Sequence, residues 1–131
     1  MSDYKLQKNA TILVVDDSPM MRMFLMKMFS ETHEVELKNS AVEALEWLYL
    51  NPEPELIITD LNMEGMNGLQ LLQKIKQDEN LKEAKVMVIS GEKQSQTRIK
   101  SLELGADDYL LKPFNPQELY LRVNKLLEKV A

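Results

Sequence analysis

The stretch ILVVDDSPM, residues 12–20, decides the fold. Successive side chains of a strand point to opposite sides of the sheet, so four aliphatic residues in an unbroken run require cover on both faces. Strands of that kind belong to parallel sheets with helices packed on either side. The run ends on two adjacent acids, Asp16 and Asp17, and these lead into Ser18 and Pro19, a helix N-cap with proline at the first helical position. A doubly covered strand, an acidic turn and a helix start therefore follow one another within nine residues.

The same alternation recurs outward from that stretch. Apolar runs appear at LII (56–58), VMVI (86–89) and YLL (109–111), each read as a strand buried on both sides, and EVELK (34–38) adds a weaker alternating strand. Between them lie helix signals. Ser40 with Glu43 reads as a capping box, and Asn115, Pro116 and Glu118 combine a cap, a first-turn proline and a first-turn acid. The last helix carries Leu119, Val123, Leu126 and Val130 as one apolar stripe. Strand and helix alternate five times, which predicts an α/β doubly wound five-stranded parallel sheet with helices on both faces.

Within the first helix, the 100° turn per residue places Met20, Met21, Phe24, Leu25, Met28 and Phe29 on the core half and leaves Met23 and Met26 outside it. His33 lies in a polar stretch and reads as a solvated loop residue. NPEPE (51–55) is a loop re-entering the sheet. Residues 1–10 read as a polar tail and residues 11–131 as a single domain, for which size scaling predicts a radius of gyration of roughly 14 Å.

Composition removes several function classes. Sixteen basic against 21 acidic residues leave a formal charge of -5, which opposes nonspecific binding to a phosphate backbone and argues against nucleic acid as a partner. The absence of cysteine excludes disulfides and thiolate metal sites. No apolar run approaches the ~20 residues of a membrane span, so membrane insertion is not expected and a cytoplasmic protein is the default.

Ligands of doubly wound sheets bind beyond the carboxyl ends of the strands. Those ends are polar here: Asp16 and Asp17 follow the first strand, Thr59 and Asp60 close the third run, Ser90 closes the fourth, and Lys112 follows the fifth. Two unit charges ~4 Å apart repel by roughly 4 kcal/mol at an effective dielectric of 20, so three carboxylates in one cleft call for a cation. An all-oxygen set with room for water suits Mg2+, which then favours a phosphoryl group nearby. An aspartate can act as the nucleophile that accepts that group, while Lys112 neutralises its charge and the Ser90 hydroxyl donates to one of its oxygens. Taken singly, the acids could be turn or cap residues, Lys112 a surface lysine and Tyr109 a half-buried strand aromatic; the ordered set makes the functional reading the stronger one.

From the acids of VVDDSP (14–19) through ITDLNMEGMNG (58–68) and VISGE (88–92) to DYLLKPF (108–114), the chain resembles the receiver domain of two-component response regulators, over nearly its whole length. The resemblance implies a flavodoxin-like strand order of 2-1-3-4-5 with five helices. It implies that Asp60 is the phosphoacceptor, that Asp17 and Asp60 ligate Mg2+ directly with the backbone carbonyl of Asn62, and that Asp16 assists through water. Ser90 and Tyr109 correspond to the family's switch pair, Asn62 and Glu92 to positions that tune the lifetime of the phosphoryl group, and Lys112 to its site lysine, with a cis bond expected before Pro113. Glu64 departs from the pattern, standing where the family often has proline. The partners implied are a sensor histidine kinase or a histidine phosphotransfer domain, docking beside the first helix, and a downstream protein target.

Likeness to the stand-alone chemotaxis regulators at Asn62, Glu92 and Tyr109 makes the phosphorylated surface itself the message, carried by a self-phosphorylating and self-dephosphorylating switch rather than a turnover enzyme. The fourth helix, within KQSQTRIKSLELG (93–105), has a sparse apolar stripe, chiefly Ile99 and Leu102, and should be weakly held. Drawing Ser90 toward a phosphoryl group would then let Tyr109 rotate inward and reset the face of the fourth helix, fifth strand and fifth helix, including Lys93. The alternatives are an aspartyl-nucleophile phosphohydrolase, whose D-x-D motif is broken by Asn62, an FMN carrier, which the acidic first loop opposes, an unphosphorylated scaffold, and a fragment of a longer regulator.

Overall fold

The computed structural model describes residues 10–128. Five parallel strands, β1 (Thr11–Val15), β2 (Glu34–Lys38), β3 (Leu56–Asp60), β4 (Lys85–Ser90) and β5 (Asp108–Leu111), lie in the order β2-β1-β3-β4-β5. Five helices alternate with them: α1 (Pro19–Phe29), α2 (Ala41–Leu50), α3 (Gly68–Gln77), α4 (Ser95–Glu103) and α5 (Pro116–Leu127). The expected doubly wound fold and strand order are both present. Residues 1–9 of the proposed tail and Val130 of the last apolar stripe lie outside the described residues. Among the described residues no helix is long and apolar enough to cross a membrane.

Alternation along each strand divides the core into two layers. Leu13, Val15, Ile57, Val86 and Val88 face α2 and α3, where they meet Ala44, Leu48, Leu71, Leu72 and Ile75. Ile12, Val14, Ile58, Met87 and Ile89 face the other way, toward Leu25 and Phe29 of α1 and Leu119 and Val123 of α5. The continuous apolar runs of β1, β3 and β4 are fully buried, as double cover requires. YLL differs: β5 is an edge strand, and Leu111 is exposed at its end.

The helix starts follow their sequence signals. Ser18 accepts from the Met21 N–H, Ser40 from the Glu43 N–H without the return bond from the Glu43 side chain that the expected capping box would add, and Asn115 from the N–H groups of Gln117 and Glu118. The most complete cap is one the sequence reading did not single out. Asn67 and Gln70 bond reciprocally at the start of α3, side chain to backbone in both directions.

Two expectations are corrected. Met20 is 82% exposed and Phe24 is also exposed, so the core of α1 rests on Leu25 and Phe29, with Met21 and Met28 packed beside them. His33 is buried, with its ring edge-on to Phe29 and its Nδ1 2.8 Å from Thr32 Oγ1. Burial pushes its imidazole below the ordinary value, opposed in part by a hydrogen bond with the Phe29 backbone.

Candidate functional site

The register of the sheet brings the acids together. Val15 lies opposite Thr59, so Asp16 and Asp60 follow on adjacent strands at one level, and Asp60 in turn lies opposite Ile89, one residue before Ser90. One carboxylate oxygen from each of Asp16, Asp17 and Asp60 falls within 4.8 Å of the other two. Asp16 and Asp60 are buried and Asp17 is exposed at the mouth. A cluster of oxygen donors on that scale fits a small hard divalent cation with open positions for water.

Lys112 arrives from the far side. Its backbone N–H donates to the Ser90 carbonyl at 2.7 Å, carrying the β4–β5 pairing one residue beyond the strand, and the bond to Pro113 that follows is cis. The Lys112 ammonium lies 3.4 Å from Asp60 Oδ1 and 3.6 Å from Asp16 Oδ2, bridging two of the three acids. Asp60 Oδ1 also accepts the Leu61 N–H at 2.9 Å. Both contacts engage Oδ1 and neither engages Oδ2. Burial raises the Asp60 carboxyl above the usual carboxylate range, the nearby Lys112 opposes that shift, and Asp16 adds to it.

Gly68 explains how closely α3 approaches the acceptor strand. A Cβ at that position would stand 2.3 Å from the Asp60 carbonyl oxygen and 2.8 Å from the Leu61 Cα, where only glycine leaves room. The Gly68 N–H donates to the Leu61 carbonyl at 2.9 Å, so the loop after Asp60 folds back onto the start of α3. Sequence reasoning missed this residue because the demand comes from packing between a helix start and a strand end.

The remaining predicted residues converge on Glu92. Its N–H donates to Ser90 Oγ at 3.0 Å, its carbonyl accepts the Tyr109 hydroxyl at 2.9 Å, and its carboxylate accepts the Asn62 amide at 3.5 Å. Tyr109 is buried, 8% exposed, with its ring packed toward the α2–α3 side of the sheet and its hydroxyl on the Glu92 carbonyl. Beside the acids, Met20, Met21, Phe24, Pro113, Phe114 and Pro116 line an apolar depression of about 540 Å³, with the rings of Phe24 and Phe114 6.0 Å apart.

Comparison with known proteins gives one consistent answer. Residues 12–124 match the response regulator receiver domain. The chain is 36% identical to the chemotaxis protein CheY1 of Helicobacter pylori, over 88% of this chain and 95% of that protein. It superposes with a TM-score of 0.83 and 31% identity on the signal receiver domain of a signal transduction histidine kinase from Syntrophus aciditrophicus, covering 93% of this chain and 97% of that one. The Mn2+-bound form of response regulator Rcp1 gives a TM-score of 0.78 at 28% identity, covering 93% and 97%. The share of a curated relative that the chain spans runs from 12% to 97%.

Proposed function

The chain belongs to the response regulator receiver domain family, and we propose on that footing that it accepts a phosphoryl group from a partner's phosphohistidine onto Asp60 and converts that event into a changed binding surface. The observation that carries the proposal is the state of Asp60. It is buried, tied down through Oδ1 only, and set between a lysine and two further acids. Oδ2 is the nucleophile: it bonds to phosphorus as the P–N bond breaks, and the leaving imidazole keeps that bond's electron pair. Lys112 neutralises charge on the incoming group, and the Ser90 hydroxyl donates to one of its oxygens.

Asp17 and Asp60, with the Asn62 carbonyl, would hold Mg2+ directly, with Asp16 assisting through water. The bound ion supplies charge neutralisation at the phosphoryl oxygens. The Mn2+-bound relative supports a divalent ion in this fold. The apolar depression lined by Met20, Phe24 and Phe114 is the docking side for the phosphodonor.

Signal leaves through Glu92. Ser90 and Tyr109 hold the two backbone groups of that one residue, so drawing the Ser90 hydroxyl to a phosphoryl group frees the Glu92 N–H and shifts the carbonyl that Tyr109 grips. The face of α4, β5 and α5, with Lys93, is then reset to engage a protein target. Asn62 and Glu92, paired across the mouth, control water access and the lifetime of the modification.

Intact mass spectrometry after acetyl phosphate and Mg2+ tests the chemistry. One added phosphoryl group is expected, absent in Asp60→Asn; a label that survives this substitution rules out Asp60 as the acceptor.

A further inference from the structure

Asp16 is held from three directions. Its N–H donates to the Lys38 carbonyl of β2 at 3.1 Å, its Oδ1 accepts the Ser18 N–H at 2.9 Å, and its carbonyl accepts Arg22 Nη1 at 2.7 Å. Sheet pairing and the turn account for the first two bonds. The third needs a side chain that reaches back from the first turns of α1 across its own N-cap. Among the described residues Arg22 forms no ion pair, although the residue whose carbonyl it holds belongs to the acid cluster.

The choice of a carbonyl rather than a carboxylate matters chemically. A guanidinium bonded to Asp16 or Asp17 oxygens would occupy the lone pairs a cation needs. The Asp16 carbonyl instead belongs to the peptide that joins the two acids, and rotation of that peptide swings the Asp17 side chain away from Asp16 and Asp60. Three mutually repelling carboxylates favour such a rotation. A short, charge-assisted hydrogen bond to the carbonyl opposes it without itself occupying any carboxylate oxygen.

We infer that Arg22 is a positioning residue for cation binding, clamping the Asp16–Asp17 peptide so that both acids stay aimed at Asp60; this rests on the reading of the acid cluster as a Mg2+ site. The clamp and the bare charge of Arg22 act with opposite signs. A positive charge near the site repels a divalent ion, so if charge were its only effect, removing Arg22 would tighten Mg2+ binding. Loss of the clamp loosens it.

Isothermal titration of the full chain with MgCl2 separates the two. Arg22→Met is expected to raise the Mg2+ dissociation constant about tenfold, as the loss of an outer contact that orients a ligand does. Arg22→Lys, which keeps a charged donor, should stay within about twofold of the parent. At saturating Mg2+, labelling of Arg22→Met by acetyl phosphate should recover to near the parent rate, because the defect lies in binding. Arg22→Gln, with a shorter neutral donor, is expected to loosen binding as well and serves if the methionine variant is unstable. Mg2+ bound by Arg22→Met as tightly as by the parent, or more tightly, overturns the clamp and leaves Arg22 a bystander charge or a docking cation. Absence of Mg2+ binding by the parent, or labelling that survives Asp60→Asn, overturns the reading of the cluster instead.

Discussion

Helices α3 and α4 are consecutive and of similar length, yet they are attached to the domain differently. Helix α3 opens with the reciprocal Asn67–Gln70 cap and buries Gly68, Leu71, Leu72 and Ile75 against the sheet. Helix α4 opens at Gln94 with no side-chain cap and buries only Ser101, while Ile99 and Leu102 are 49% and 44% exposed. The first backs the end of β3 that carries Asp60, and the second follows the loop that carries Glu92. Packing fixes a helix far more than intrinsic propensity does, so rigidity stands behind the proposed acceptor and freedom behind the proposed switch.

The sharpest way to break this contrast is to truncate both helices. Leu72→Ala should lower stability by about 2–5 kcal/mol in urea denaturation, and Ile99→Ala by no more than about 0.5 kcal/mol. Similar losses in the two variants would mean that α4 is anchored as firmly as α3.

Two glycines extend the comparison to the loops. Gly68→Ala forces a methyl into the Asp60 and Leu61 backbone and should cost about 1–3 kcal/mol while slowing the labelling of Asp60. A Cβ at Gly91 meets nothing within 4 Å, so Gly91→Ala should be neutral or raise stability by about 0.4–1 kcal/mol. A labelling rate in Gly68→Ala equal to the parent's would show that the close approach of α3 does not position the acceptor.

A smaller change sharpens the contrast from the loose side. Gln94→Asp supplies the cap that α4 lacks and should add about 0.5–1 kcal/mol to the local stability of that helix. Amide hydrogen exchange across residues 95–103 would slow accordingly. Unchanged exchange would show that fraying at the N-cap does not limit α4.

The last expectation concerns only the firm side, and its sign follows from burial. Burial raises the folded carboxyl of Asp60 above the ordinary aspartate range, so at neutral pH the native state bears an ionised group that the unfolded chain accommodates better. Without Mg2+, Asp60→Asn should therefore be more stable than the parent at pH 7. That advantage should shrink as pH falls through the raised folded value and vanish below the ordinary aspartate value of the unfolded chain. A variant less stable than the parent at pH 7 would mean that Lys112 and the Leu61 N–H outweigh desolvation.

Much of the fold was legible because burial leaves a direct mark on composition. The runs of β1, β3 and β4 had to be apolar at every position to lie between two helix layers, and caps such as Ser18 and Asn115 are local chemistry that needs no tertiary context. The polar strand ends, Asp16, Asp17, Asp60, Ser90 and Lys112, were readable for the same reason, since a parallel sheet delivers all its carboxyl ends to one edge. What escaped depends on neighbours distant in sequence or on angles no periodicity encodes. His33 is buried because Phe29 and the end of α1 cover it, and Met20 is exposed because α1 offers only a narrow stripe to its layer. Gly68 is required by a strand end eight residues earlier, the Tyr109 hydroxyl is engaged because Glu92 presents its carbonyl, and Arg22 acts through a backbone oxygen that composition cannot reveal. Sequence by itself determined which residues meet at the sheet edge; only tertiary packing decided which atoms of those residues are engaged and which, like Asp60 Oδ2, are left for chemistry, because a residue's pattern records its burial but not the direction of its hydrogen bonds.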